Sequence, residues 1–221
     1  MRKKLSAYFY IKKLIDAVLY TTIIWVALFL VFYDSAIVYD ISMQPTLNAI
    51  SGVSDNDLVY YRRWAEAEIG DIVIIDTGDN NLIIKRLIAV AGDRVRYEYN
   101  DETNVYDLYI NNIVQTEDYI KENITISKLQ TSNNPLKYVD ITDSTGFNPL
   151  GLLKSNQPEN FDEYGNYIVP ENQVFVMGDN RIYSTDSKSY GGYDKSTIVG
   201  VVQMIIRADD NKFVKVLDFV F

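Results

Sequence analysis

Leu14 to Tyr33 reads LIDAVLYTTIIWVALFLVFY, twenty residues whose single charge, Asp16, stands near the start. As a helix rising ~1.5 Å per residue, this run spans roughly 30 Å, the thickness of a bilayer's hydrocarbon core. Such length is unusual for a helix buried in a soluble core. A cleaved signal peptide would end on small residues, but the exit here is Phe32-Tyr33-Asp34-Ser35-Ala36, with Asp34 in the wrong place. The sequence therefore predicts an uncleaved transmembrane helix over residues 14–33, with Tyr33 at the interface. Arg2, Lys3, Lys4, Lys12 and Lys13 all precede it. Residues 1–13 are accordingly expected to form a basic cytoplasmic tail, and 34–221 to lie outside a cell membrane crossed once.

Charge supports that division. Residues 1–33 have those five cations against Asp16 alone, a net of +4, which leaves −13 for the remainder of a chain of net charge −9. An acidic exported body argues against nucleic acid as a partner, because phosphates would be repelled. The lipid bilayer is the partner expected for the basic end.

The chain contains neither histidine nor cysteine. This removes thiol nucleophiles, disulfides, imidazole-based triads and His or Cys metal sites. A hydrolase of this composition is left with a Ser or Thr activated by Lys, a carboxylate pair, or a carboxylate-bound metal. No EF-hand spacing, phosphate loop or basic patch is found, so no metal or cofactor is expected.

After the anchor, β-like runs rich in Val, Ile and Tyr recur between Gly, Asn and Asp. They are Asp57–Tyr61, Asp71–Asp76, Asn81–Val90, Asp93–Tyr99, Tyr106–Ile110, Gln173–Met177 and Ile198–Arg207. A mostly β fold follows. Residues 34–110 and 168–221 are expected to form its core. The stretch 111–167, polar and holding three of the five prolines, is expected to be an inserted cap built on a hairpin, with nothing catalytic in it.

Two residues stand out. Ser42 lies in Tyr39-Asp40-Ile41-Ser42-Met43-Gln44-Pro45-Thr46-Leu47, and Lys85 in Leu82-Ile83-Ile84-Lys85-Arg86-Leu87-Ile88. On a strand, Lys85 shares a face with Ile83 and Leu87. One reading is an edge lysine reaching for solvent. The other is a buried amine, neutral because desolvation lowers its pKa, that accepts a serine proton.

Four ordered blocks then resemble the type I signal peptidases: Ser42–Leu47, Gly70-Asp71-Ile72-Val73, Ile84-Lys85-Arg86 through Gly92-Asp93-Arg94-Val95, and Met177–Ser187, all behind one apolar anchor. The resemblance implies a signal-peptidase-like β-sheet catalytic domain and a membrane-bound serine endopeptidase. It would remove signal peptides from exported preproteins, cutting after small residues. By the same resemblance Ser42 is the nucleophile, Lys85 the general base and Ser184 the hydroxyl that orients the lysine. Asp186 with Arg86 and Lys188 would form an ion-pair cluster bracing the loop, and Gly178, Asp179 and Asn180 the turn that brings it to Lys85. Val38, Leu47 and Ile84, near the pair in sequence, would wall shallow substrate pockets.

One departure concerns Asp40, where many family members carry a small or hydroxyl residue. An ionised Asp40 pointing into the site would repel a developing oxyanion. A second reading follows, a preprotein-binding factor of the same family with weak or no catalysis. Val73-Ile74-Ile75-Asp76-Thr77-Gly78 also resembles an aspartic protease motif. That chemistry needs two carboxylates sharing a proton, however, and there is no second copy. A turn between strands is the simpler reading.

Overall fold

The computed structural model describes residues 2–48, 56–78, 81–120, 124, 148–207 and 217–219. Helix α1 (Arg2–Phe32) is followed without a break by β1 (Tyr33–Ile37). Within the helix, Ala7–Phe32 is apolar and long enough to cross a membrane, with mean hydropathy 2.3 and no burial. Lysines and arginines favour helix as readily as leucine does, so the helical backbone runs back through the basic segment.

The body comprises β2 (Leu58–Arg63), β3 (Ile72–Asp76), β4 (Leu82–Val90), β5 (Arg94–Asn100), β6 (Val105–Ile110), β7 (Ile113–Val114), α2 (Gly151–Asn156), β8 (Tyr167–Ile168), β9 (Gln173–Met177), α3 (Ser187–Tyr190), β10 (Tyr193–Asp194), β11 (Ile198–Ile206) and β12 (Leu217–Phe219). All pairings are antiparallel. The larger sheet runs β1-β2-β11-β3-β4-β9-β10, with β12 on β11, and the smaller runs β7-β6-β5-β8. Each of the seven β runs expected after the anchor is a strand, with ends displaced by a residue or two. What the sequence pattern missed is β1, read as a linker, and the two- and three-residue strands. Those are defined by cross-strand partners such as Tyr33↔Arg62 and Ile37↔Leu58, not by their own composition.

Strands β5 and β6, expected in the core, pair with β7 and β8 rather than with the larger sheet. The smaller sheet thus begins at Arg94. Of the 111–167 stretch, residues 121–123 and 125–147 lie outside the described residues.

Strand β3 shows why the larger sheet is so apolar. Ile72 and Ile74 point to a cluster with Val38, Met43, Leu47, Val59 and Tyr61, while Val73 and Ile75 point to one with Leu87, Val174, Val176 and Val201. With both faces covered, a continuous apolar run replaces alternation. Bulges bend the long strands, between Val202 and Met204 in β11 and between Leu87 and Ala89 in β4. Past its bulge, β4 sends Ile88 and Ala89 into a third cluster with Tyr97, Leu108, Leu153, Tyr167 and Phe175, which binds the two sheets together.

Gly200 sits where β11 crosses β2, and a Cβ there would collide with the Tyr61 ring and come within 2.7 Å of the Arg62 carbonyl oxygen. Gly200→Ala is expected to destabilise the fold by about 1–3 kcal/mol, the usual range for overpacking. Thermal denaturation of the two proteins would measure it.

Candidate active site

The turn from Ile41 to Leu47 is locally closed: Gln44 N–H donates to Ile41 O at 3.1 Å and Leu47 N–H to Met43 O at 2.9 Å. Asn48 pins its ends. The amide Nδ2 donates to Val38 O at 2.6 Å, and Oδ1 accepts from Asp57 N–H at 2.9 Å. Met43 and Leu47 are fully buried beneath the turn. Ser42, with the fold closed under it, is 2% exposed and held with its hydroxyl toward β4.

Lys85 Nζ lies 2.7 Å from Ser42 Oγ. The lysine is only 4% exposed. Burial drives its pKa down, and the more distant charges of Asp186, Asp40 and Asp179 counter that only in part. Among the described residues no carboxylate bonds the amine directly. A neutral amine at this distance accepts the serine proton, the requirement for an activated oxygen nucleophile.

The segment 178–188 wraps the pair. Asn180 N–H donates to Ser42 O at 2.9 Å and its side-chain amide to Ile41 O at 3.1 Å, so this segment grips the nucleophile's own turn. Asp179 links both sides of the site. Its carboxylate takes two bonds from Arg86, from Nε at 2.8 Å and from Nη2 at 2.6 Å, and a third from Thr46 Oγ1. Gly178 packs so closely that a Cβ would collide with Ser42 O and the Ser184 side chain. Its N–H donates to Asp186 at 2.9 Å.

Two expected roles fall out differently. Arg86 pairs with Asp179, not Asp186, because residues 85 and 86 leave opposite faces of β4. Asp186 instead pairs with Lys188 at 2.7 Å, both fully buried. Burial alone would raise the Asp186 pKa, but the Lys188 ammonium outweighs it and holds the carboxyl ionised. Ser184 Oγ is buried and makes no well-formed hydrogen bond, to Lys85 or elsewhere. It nevertheless sits close enough to Asp186 to help lower that group's pKa.

Other participants were not singled out, although Arg181 lies within the Met177–Ser187 block. Arg181 is 1% exposed; its Nε donates to Gly178 O at 3.1 Å and its Nη1 to Glu117 at 2.7 Å. Tyr119 donates to Glu117 at 2.9 Å, and its ring faces the Arg86 guanidinium at 4.1 Å. Residues 117 and 119 follow β7, in the stretch where nothing catalytic was expected. They strap it onto the two arginines behind the site. A lone glutamate and tyrosine in a polar segment carry no periodicity or spacing that would mark them.

In front of the pair opens a cleft of about 320 Å³, lined by Ala36–Asp40, Ser42, Val59, Ile74 and Asn81–Lys85. Val38 and Ile84 line it as expected. Leu47 does not; it is fully buried in the cluster below. Asp40 is exposed at the rim, and its Oδ1 turns back to accept Ile41 N–H at 2.7 Å.

A family model described as signal peptidase, peptidase S26, matches residues 11–207. Signal peptidase IB of Staphylococcus aureus (strain Mu50) is 30% identical over 194 residues, covering 86% of this chain and 88% of the relative. Signal peptidase I of Bacillus licheniformis is 32% identical over 207 residues, covering 92% and 90%. A crystal structure of a signal peptidase I from Enterococcus faecalis V583 aligns at 27% identity with a TM-score of 0.38, over 62% of this chain and 97% of that one. On the extent of the family-model match and of the two sequence relatives, the chain belongs to the signal peptidase family, peptidase S26.

Proposed function

We propose that this protein is a membrane-anchored endopeptidase that cleaves signal peptides from exported preproteins, with Ser42 as nucleophile and Lys85 as general base. The observation that carries the reading is the 2.7 Å approach of a buried lysine amine to a buried serine hydroxyl. Lys85 takes the Ser42 proton as Oγ attacks the scissile carbonyl. The resulting ammonium then protonates the leaving amine. The neutral amine next deprotonates a water that releases the acyl group from Ser42. Among the described residues the Ser42 N–H donates to nothing, which suits it to meet the oxyanion.

The substrate's path is supported by strand pairing. On one side β4 pairs with β3 from Leu82 to Arg86; on the other it meets β9 only from Arg86 onward. Among the described residues Leu82–Lys85 therefore has no strand on that edge, which faces the Val38–Asp40 segment across the cleft. An extended peptide fits there by strand addition, and Val38, Val59, Ile74 and Ile84 limit its inward side chains to small ones. Ser42 is five residues beyond the end of β1, which itself starts where α1 stops. The site thus works at the membrane surface, outside the cell if the basic end of α1 stays cytoplasmic.

Ser42→Ala should abolish cleavage of a preprotein in detergent or vesicles, by about 10³-fold or more. Undiminished cleavage would overturn the reading in favour of a preprotein-binding factor. Lys85→Met should be equally inactive yet melt at a higher temperature. The sign follows from linkage: Lys85 has a lower pKa folded than unfolded, so below the unfolded value of 10.5 the proton binds the unfolded chain more tightly and disfavours the fold, a penalty that methionine avoids. For the same reason kcat/KM should rise with pH through the Lys85 pKa and level off below 10.5, the ordinary lysine value. Gly178→Ala, which drives a methyl into Ser42 O, should lower kcat at least about tenfold, the price of a small misplacement of the nucleophile.

A further inference from the structure

Resting on that proteolytic reading, we infer that Asp40 and Tyr39 form a subsite for a basic side chain within two residues of the scissile bond. The cleft has a simple electrostatic character. Of its lining residues only Asp40 and Lys85 are ionisable acids or bases apart from the Tyr39 phenol, and Lys85 is buried at the floor beside Ser42. Among the described lining residues the carboxylate at the rim is consequently the one charge exposed to an incoming peptide. Among the described residues no cationic side chain pairs with Asp40. Its Oδ1 accepts the Ile41 N–H at 2.7 Å, which leaves Oδ2 for an incoming cation.

Tyr39 supplies the second part. It is 77% exposed although it lines the same cleft, so its ring is an uncovered aromatic surface on the residue next to Asp40. A guanidinium or ammonium is the group that both would attract, the acid by charge and the ring by its quadrupole. The reach is set by chain geometry. Asp40 is two residues before Ser42, and at ~3.3 Å per residue an extended peptide covers the same distance in two residues from its scissile bond. The apolar wall of Val38, Val59, Ile74 and Ile84 takes the small inward side chains, while the rim reads the neighbour that faces out.

The test uses the full-length protein in detergent with synthetic peptides of one small-residue cleavage sequence. Lys, Gln or Glu is placed in turn at each of the two positions before and after the bond. At one position at least, kcat/KM should favour Lys over Glu by about tenfold in low salt, as one partly exposed charge pair provides. The preference should shrink in roughly 0.5 M salt and disappear in Asp40→Asn. Tyr39→Ala should reduce the Lys preference over Gln while leaving discrimination against Glu. An equal preference in the parent and in Asp40→Asn, or none in either, would overturn the inference while leaving proteolysis standing. Failure to cut any peptide, Gln versions included, would overturn the proteolytic reading and this subsite with it.

Discussion

An ammonium group is strongly hydrated, and removing it from water without a directly bonded carboxylate costs several kcal/mol unless the group gives up its proton. The arrangement around Ser42 depends on that constraint. Lys85 is placed on a strand with apolar neighbours, covered by the 178–188 segment, and offered a serine hydroxyl at 2.7 Å instead of an anion. Three carboxylates do act on it, but none is bonded to it. Each is also occupied: Asp179 by Arg86 and Thr46, Asp186 by Lys188, and Asp40 by the Ile41 N–H. A direct Lys85 ion pair would leave a charged amine unable to take a proton.

The surrounding ion pairs make sense in this light. Arg86–Asp179 and Lys188–Asp186 are buried, so they cannot be credited with much net stability, since desolvation offsets most of their attraction. What they supply is location. Asp179 joins the strand of Lys85 to the turn of Ser42, and Asp186 holds Gly178 against that turn. Arg181 extends the same network to Glu117 and Tyr119, so the chain after β7 is tied to the wall behind the site. Breaking either buried pair leaves a charge unmatched beside the segment whose Asn180 N–H is bonded to Ser42 O.

Proximity to the anchor is a separate consequence of the fold. Strand β1 starts at the residue after α1, and its pairing with β2 places it on the edge of the larger sheet. Stacking of Phe29 on Tyr33 and the edge contact of Phe32 with Trp64 continue the join from helix to sheet. The helix and the cleft are consequently connected by a single short strand with little slack.

The long apolar helix and the seven longer strands were legible in the chain itself, and the family resemblance paired Ser42 with Lys85, which the fold brings to 2.7 Å. Each is written in local terms: run length against bilayer thickness, Val/Ile/Tyr runs between turn residues, and the absence of histidine and cysteine, which left lysine as an available base. Ordered motifs placed Gly178, Asp179 and Asn180 at the site as well. Pairing was not legible, because a charge within a motif does not say which opposite charge it will meet. The twist of β4 and the path of 178–188 gave Arg86 to Asp179 and Asp186 to Lys188. Leu47 lies under the floor rather than in the wall because the turn folds its apolar residues downward into the core. Glu117 and Tyr119 reach the site from 32 residues or more away in sequence, through a second sheet whose edge strands are only two residues long. Local chemistry determined which residues could react, and tertiary contacts decided what holds them, because side-chain partners across a sheet are set by register and curvature that no single segment encodes.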